Sequence, residues 1–546
     1  MPLNSRPVPM PEKKVTYKKG ANGAVYVYHT LRAYRNKRGK PTSDEMAIGK
    51  KDPATGMLVP NRNYFEKLPG GGAGGQGAIA AQKPSTSPQC RLASYGNAYA
   101  LMEIAQTTGL REILEKVFPD SWEQVLAVAF YMVCCGNVMM YMQDWFDETD
   151  VPFTDPMDDR RCGGLFASIS RGERMRFFQE WTRLRSEREY IAYDVTSIST
   201  WSKGIDIAEW GYNRDDERLP QVNLGMFFGA ESRLPVFYHV YNGSVPDKSC
   251  LAFMMEYAGK HGVANVRFVM DRGFVTAENL KFMAEKNCLF VTAFPNSMTE
   301  YKKLVDGHGV GVRRAVNRIG GHGLYGLAVD TDMHGVGLKA HVYFDAEKQV
   351  LDEKELYSCL ERLESELAKM SKETGPARKY SDFFIVEGKK AGGFSYSPDL
   401  AKIDGRLGRT GFFILLSNDP GLDSGRVLDI YRGKDVIEKS YDDLKNGLDF
   451  RRLRTHVNET TEGKLFVAFI ALALRSHLLA KIKANPETKN MTLEKALIEL
   501  RKIRAIIYEN GTRQLPPLTK TQKTILETIG VPPDELVASA SRPPAG

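Results

Sequence analysis

Apolar residues change their spacing several times along this chain, and each change predicts a different kind of element. Residues 24–60 alternate apolar and polar positions (VYVYHTLRAY), turn at Asn36–Gly39 and resume near EMAIGKK. That period of two predicts a small β-hairpin module, here rich in Lys and Arg. From about 97 to 187 the period becomes helical: ALMEIAQTTGLREILEKVF, a nearly unbroken apolar run at 125–142, and the basic amphipathic stretch RGERMRFFQEWTRLRSERE. Strand patterns then take over. YIAYDVTS (190–197) precedes VNLGMFFG (222–229) and LPVFYHVYNG (234–243), which flank a tight turn at Ala230–Arg233 and read as a hairpin. The helical stretch SCLAFMMEYAGKHG leads to VRFVMD (266–271), and AENLKFMAEKN leads to CLFVTAFP (288–295). Strand, hairpin, helix, strand, helix, strand predicts an α/β fold: a mixed sheet with crossover helices.

Residues 296–424 interrupt that rhythm. They hold a Gly- and His-rich portion, a strand (KAHVYF), a charged helix (EKELYSCLERLESELAKMSKE) and a closing strand (FFILLSN, 412–418). Helix returns at 426–447 and 463–483, and a last helical region, 491–508, precedes a Pro-containing tail expected to fray. The predicted organisation is a basic N-terminal β module (1–68), a linker (69–88) containing PGGGAGGQG, a helical region (89–187), a first core segment (188–295), an insertion (296–424), a second core segment (425–483) and a C-terminal helical region with its tail (484–546).

The composition changes this picture little. The chain has 546 residues, 42% of them apolar and 26% charged, with a formal net charge of +8. The charge leans mildly towards a polyanionic partner. Seven scattered cysteines without a Cys-x-x-Cys pair argue against a zinc ribbon or a disulfide framework. The N-terminus lacks an apolar signal core, Gly136 and Asn137 break the 125–142 run, and LFVAFIALAL (465–474) is too short to span. Both runs are read as buried helices, and the expectation is a cytoplasmic protein with no membrane partner.

The candidate chemistry lies in carboxylates. Asp194 and Asp271 each sit at or near the end of a predicted core strand, where the crevice of an α/β sheet opens. Two such residues on neighbouring strands would make half of a site for Mg²⁺, a hard cation that takes carboxylate, water and phosphate oxygens. An Asp that merely caps a turn gives the same local pattern. A third contributor comes from IYRGKDVIEKSYDDLKN (430–446). At about 100° per residue, Ile430, Ile437, Tyr441 and Leu444 share one stripe, and Tyr431, Lys434, Glu438, Asp442 and Lys445 share the stripe beside it. Helical geometry alone favours a solvated face with i,i+4 pairs; the sharper alternative is that Glu438 completes a metal site.

Taken together, YIAYDVTS, FVMDRGF, a long insertion and a Tyr…Glu…Lys helix resemble the DDE transposases of bacterial insertion sequences, in the group with a Tyr-Arg-Glu-Lys signature around the third carboxylate. The resemblance covers roughly 190 to 480. It implies an RNase H-like core, a mixed five-stranded sheet with flanking helices, interrupted by a large insertion before the catalytic Glu helix. It carries the catalytic and metal-binding roles to Asp194, Asp271 and Glu438, and the signature Tyr to Tyr431, with Glu438 seven residues on and Lys445 seven after that. The signature Arg falls at Lys434, with an Arg at 432 instead. Lys keeps the charge but loses the bidentate phosphate grip, so the contact stays open between Arg432 and Lys434.

The resemblance also implies the reaction. Two Mg²⁺ ions about 4 Å apart, with Mn²⁺ as a substitute, would clamp an in-line displacement at phosphorus. Water first nicks the element's end, and the freed 3′-hydroxyl then attacks target DNA. The implied partners are the terminal inverted repeats and target DNA. A homodimer on the paired DNA ends and a nucleoid location in a bacterial cytoplasm are implied too. DNA-binding candidates are Tyr431, Arg432, Lys434, Lys445, the RRLR cluster (Arg451, Arg452, Arg454), Arg272, the arginines of 171–189 and the N-terminal module. Rival readings are a nuclease of the same fold that cuts without joining, and an inactive DNA-binding derivative. GHGLYG (321–326) fits G-x-G-x-x-G but runs into strand and turn, and His308, His322 and His334 match no zinc spacing and are read as turn residues.

Overall fold

The computed structural model describes residues 7–11, 14–20, 23–35, 41–61, 63–64, 90–151, 153–185, 190–260, 267–370, 378–388 and 394–540. The chain forms two compact units, Met1–Ser87 and Pro88–Gly546. The smaller one is a four-stranded antiparallel sheet: β1 (Val15–Lys19), β2 (Val25–Arg35), β3 (Pro41–Lys51) and β4 (Leu58–Pro60). Val27, Ile48 and Leu58 form its small core. Gly49 is required there, since a Cβ would lie 2.2 Å from the Val59 carbonyl oxygen. The predicted turn at Asn36–Gly39 and the linker PGGGAGGQG lie outside the described residues.

The larger unit opens with β5 (Cys90–Ser94) and six helices: α1 (Gly96–Thr107), α2 (Leu110–Val117), α3 (Trp122–Cys135), α4 (Met142–Glu148), α5 (Asp159–Ser168) and α6 (Arg171–Arg185). Next come β6 (Tyr190–Ser199), β7 (Gln221–Gly229), β8 (Pro235–Asn242), α7 (Asp247–Lys260), β9 (Arg267–Met270), α8 (Ala277–Glu285) and β10 (Leu289–Ala293), in the predicted order. β7 pairs antiparallel with both β6 and β8, while β9 lies parallel between β6 and β10. β6 and β7 are buried along their whole length, which explains their near-continuous apolar sequence.

The sheet does not stop at five strands. After α9 (Thr299–Val312) come β11 (Arg318–Ile319), β12 (Leu324–Met333), β13 (Val336–Phe344), α10 (Ala346–Met370), the hairpin β14 (Phe384–Gly388) and β15 (Phe394–Pro398), α11 (Leu400–Leu407) and β16 (Phe412–Ser417). β16 pairs antiparallel with β10 on one side and β13 on the other, giving one nine-stranded sheet ordered β11-β12-β13-β16-β10-β9-β6-β7-β8. The insertion therefore extends the central sheet, because the apolar run FFILLS buries itself beside β10. Leu363, Leu367, Tyr380, Phe384 and Phe394 form a second, local core under α10. His308 lies within α9 and not in a turn. The helix runs through its glycines because Gly309 packs on Phe412, where a Cβ would be 3.1 Å from the ring.

The C-terminal part contains α12 (Ser424–Gly433), α13 (Asp435–Asp442), a π-helical turn at Asp443–Gly447, α14 (Asn458–Ala484), α15 (Leu493–Arg501), β17 (Arg504–Tyr508), β18 (Arg513–Gln514), α16 (Lys520–Ile529) and α17 (Pro533–Ala540). Two expectations are corrected here. Residues 504–508 form a strand that pairs with β5, which closes the ends of the unit on each other. As far as residue 540 the tail does not fray: Ile525, Leu526, Ile529, Leu536 and Ala540 join the main core.

The helix α14 is long and apolar enough to cross a membrane by length and composition, but most of it is buried within the unit. Phe466 and Phe469 on it meet Phe177 and Phe178 of α6, and Tyr238 of β8 packs on Phe469 with its ring tilted. Burying each such side chain contributes roughly 1.5–3 kcal/mol relative to exposure. Close approach of α14 to α5 depends on Gly463, where a Cβ would lie 2.0 Å from the Phe166 carbonyl oxygen.

Candidate active site

Strand register brings the two aspartates together. Tyr193 of β6 pairs with Met270 of β9 in the parallel ladder. Asp194 comes next on β6 and Asp271 directly follows the last residue of β9, so the register sets the two side by side. Neighbouring strands are about 4.8 Å apart. Asp271 is still extended (φ −80°, ψ 162°) and caps a short 3₁₀ turn, its carboxylate accepting from the Arg272 amide at 2.8 Å. Thr292 on β10 donates to the Asp271 carbonyl oxygen at 3.3 Å and fixes the end of β9.

The helices α12 and α13 deliver the third carboxylate. Asp423 caps α12 by accepting from the Arg426 amide at 2.8 Å, and Tyr343 of β13 donates to the Ser424 carbonyl oxygen at 2.7 Å. The helix does not run unbroken from 426 to 447. It is interrupted at Lys434, and α13 starts at Asp435 with Asp435 and Glu438 in its first turn, where the helix dipole favours acids. Tyr441 secures α13 to the sheet, donating to the carbonyl oxygens of Asp194 (2.6 Å) and Leu224 (3.3 Å).

Lys434 links the three acids. It is only 5% exposed, so the solvated-face reading of its stripe fails at this residue. Its ammonium lies 2.6 Å from Glu438, whose side chain is 58% exposed. Burial depresses the Lys434 pKa. The hydrogen bond Lys434 donates to Glu438 and the charges of Asp271, Glu438 and Asp194 outweigh that and hold it above the ordinary lysine value. Tyr431 belongs to the same cluster: burial first, then the Asp271 charge, pushes its hydroxyl up to about 12, with Lys434 and Arg272 opposing. Asp271, Arg272 and Tyr431 line one side of a cavity of about 710 Å³, whose other walls include Phe294, Phe412 and Arg406.

Asp194 has a partner outside the sequence reading. Burial raises its pKa, and Arg214, in the loop between β6 and β7, partly offsets this. The guanidinium reaches both carboxylate oxygens at 3.3–3.4 Å. Among the described residues no three His, Cys, Asp or Glu side chains are close enough together to hold a metal ion as they stand. Arg214 engages Asp194 and Lys434 engages Glu438. The donor chemistry is that of a hard divalent cation, carboxylates on β6, after β9 and on α13, but their present partners are Arg214 and Lys434.

The remaining basic candidates are placed around this centre but not all in it. Arg432 meets His322 of the insertion at 2.7 Å, and His322 in turn bonds Asp429 at 3.0 Å, so the position among the carboxylates falls to Lys434. Lys445, in the π turn, pairs with Asp215 at 2.6 Å. Arg452 pairs with Glu217 at 2.8 Å and covers the Trp201 ring at 4.1 Å, Arg451 bonds Asn446 at 2.8 Å, and Arg454 pairs with Asp449 at 2.7 Å. Arg272 is exposed at the mouth of the cavity. On α6, Arg174 is paired with Glu462. Asn137, which broke the apolar run at 125–142, donates to the carbonyl oxygens of Asp449 (2.7 Å) and Arg452 (3.3 Å) and so holds the RRLR segment in place.

Asp271 follows the end of β9 as expected, but Asp194 lies in the middle of β6 and not at its end, because β6 runs on to Ser199 alongside β7; the two aspartates and the helix after the sheet-extending insertion form a candidate carboxylate site. The family model described as the transposase DDE domain matches residues 185–474, more than half of the chain, and the chain belongs to that family. No curated protein matches it. Among solved structures, a piggyBac transposase synaptic complex with hairpin DNA is similar at a TM-score of 0.32 and 10% identity, over 82% of this chain and 76% of that one. No shared fold follows from so low a score.

Proposed function

We propose that the chain is a DDE transposase that cuts DNA at the ends of its element and joins those ends to target DNA, with Asp194, Asp271 and Glu438 as the metal-binding catalytic set. The observation that carries this reading is the strand register that sets Asp194 beside Asp271, with Tyr441, three residues after Glu438, bonded to the Asp194 carbonyl oxygen. The order β8-β7-β6-β9-β10, antiparallel then parallel, supports an RNase H-like core within the larger sheet. The spacing Tyr431, Glu438, Lys445 supports the Tyr-Arg-Glu-Lys group, with Lys434 in the Arg position.

When bound, two divalent ions, Mg²⁺ or Mn²⁺, would activate the attacking oxygen and stabilise the leaving one. The three carboxylates would hold them once Arg214 and Lys434 release Asp194 and Glu438. Lys434 then becomes a buried cation free to face a phosphate. Tyr431, whose hydroxyl stays protonated at neutral pH, can donate a hydrogen bond to a phosphate oxygen. Arg272 at the cavity mouth and the 451–454 segment offer cations for the flanking backbone. No covalent protein–DNA intermediate is required. The partners are element ends and target DNA, with a homodimer bridging two ends.

The test is strand cleavage and joining by purified protein on DNA flanking its own coding region, with Mg²⁺, Mn²⁺ or EDTA. Metal-dependent nicking at discrete ends followed by joining is expected, lost in Asp271→Ala and Glu438→Ala. Cleavage without joining would make it a nuclease, and binding without chemistry an inactive derivative.

A further inference from the structure

We propose that residues 213–218, in the loop between β6 and β7, form an autoinhibitory strap over the candidate site, an internal stand-in for both metal and DNA. Arg214 occupies Asp194, while Asp215 and Glu217 occupy Lys445 and Arg452. The inference rests on the reading of the carboxylates as a metal site and of those two cations as phosphate contacts.

Charge gives each contact its meaning. Residues 200–220 carry five acids (Asp206, Glu209, Asp215, Asp216, Glu217) against three cations (Lys203, Arg214, Arg218), so the loop as a whole repels DNA. Its cation that reaches the aspartates lies where a divalent ion would compete, the guanidinium 3.3–3.4 Å from both Asp194 oxygens. Two of its acids cover cations instead. Asp215 lies 2.6 Å from Lys445 in the π turn, and Glu217 lies 2.8 Å from Arg452 in the RRLR segment. The side chains of Lys445 and Arg452 are only 10% and 23% exposed, so a phosphate reaches them once the strap lifts.

The strap is shaped to span these groups and held in ways that permit release. Asp216 adopts a left-handed backbone (φ 54°), and the Asp215 amide donates to Asn213 Oδ1 at 2.8 Å. Aspartate tolerates that conformation, and the sharp turn sends the acids on either side of it to different segments. On β6 the strap is anchored through hydroxyls: Asn213 Nδ2 donates to Ser199 Oγ at 3.0 Å and the Arg214 amide to Ser197 Oγ at 3.3 Å. The Arg214 contacts are longer than the roughly 2.7–2.9 Å of a well-made charge-assisted bond. Glu217 meets Arg452 through one oxygen, and Glu217 Oε2 and Arg452 Nε are buried without a partner among the described residues. A half-made pair exchanges at lower cost for a ligand that satisfies the guanidinium fork, as a phosphate does.

Two binding measurements on the full chain test the strap without cleavage: duplex DNA in EDTA, and Mn²⁺ without DNA, read by the EPR signal of the free ion. Asp215→Asn and Glu217→Gln are each expected to tighten duplex binding roughly fivefold. Asp216→Asn, which changes the net charge equally but frees no cation, should stay within about twofold, and Asp215→Glu, which keeps the acid, should bind as wild type. Arg214→Gln is expected to tighten Mn²⁺ binding roughly fivefold or more, and Arg218→Gln to leave it within about twofold. The three pairs are probed by separate variants, so one that fails to fold leaves the others to decide. An equal gain from Asp216→Asn would reduce the effect to bulk charge and overturn the proposal. Weaker duplex binding by Asp215→Asn and Glu217→Gln would make the pairs structural supports and overturn it too. Equal Mn²⁺ affinity in wild type and Arg214→Gln, abolished in both by Asp271→Ala, would overturn the strap and leave the carboxylate reading standing. No Mn²⁺ binding by either protein would refute both.

Discussion

Replacing Lys434 with Met removes the cation on which the three acids converge while keeping most of the side-chain volume. Two unit charges about 4 Å apart at an effective dielectric near 20 attract by about 4 kcal/mol, and burial of the ammonium cancels a large part of that. Glu438 is 58% exposed and so is screened, whereas Asp194 and Lys434 are buried. Asp194 also keeps Arg214. The net cost in metal-free buffer at neutral pH is therefore about 2 kcal/mol, below the roughly 3–5 expected for breaking a fully buried pair. With a urea slope near ~3 kcal/mol per M, the midpoint falls by roughly 0.7 M. The Lys434 pKa is raised on folding, so its contribution is fully present below the ordinary lysine pKa and is lost only as pH rises through the folded value. The deficit should stay constant through neutral pH and shrink at alkaline pH. Mg²⁺ should restore more stability to Lys434→Met than it adds to wild type, because a bound cation replaces the missing one. Urea unfolding by circular dichroism, with EDTA or Mg²⁺, measures both. An unchanged midpoint in EDTA, or an equal Mg²⁺ increment in both proteins, would refute the reasoning.

Three further expectations follow from the same geometry. Arg214→Gln should raise the Asp194 pKa further, moving the acidic limb of the cleavage pH profile upward; its stability deficit against wild type should be largest above that pKa and shrink as pH falls through it. Asn137→Ala, which frees the carbonyl oxygens of Asp449 and Arg452, should cost about 1–3 kcal/mol in denaturant unfolding and weaken duplex DNA binding; unaltered stability would show that those bonds are not made. Gly463→Ala should destabilise by at least about 1–3 kcal/mol through overpacking against Phe166, and thermal unfolding at wild-type temperature would contradict the close α5–α14 approach.

The centre of the fold was legible because its signals are local. The apolar runs of β6 to β10 are bounded by turns and helices, and parallel register then sets Asp194 beside Asp271 without further information. The insertion was harder, because whether FFILLS joins the core sheet or a separate body depends on partners far away in sequence. The helical stripe at 431–445 favoured a solvated face, whereas Lys434 and Lys445 are buried. Periodicity cannot show that Lys434 ends one helix and begins the next in a buried position. Arg214 escaped notice, and Asn137 was read only as a break in an apolar run, for the same reason. Each acts on a segment distant in the chain, and YNRDDER reads as an ordinary charged loop. The strand in 504–508 follows a helix with no intervening turn signal, and pairing with β5 and β18 stabilises it.

The most direct test of the carboxylate set is the single-turnover cleavage rate of Asp194→Asn, Asp271→Asn and Glu438→Gln, alone and combined, on element-end DNA in Mg²⁺. If the three act as one unit, each single substitution should lower the rate roughly a thousandfold or more, about 4 kcal/mol, and the triple variant should fall little further. A single variant retaining near-wild-type cleavage, or losses that add independently, would contradict the assignment.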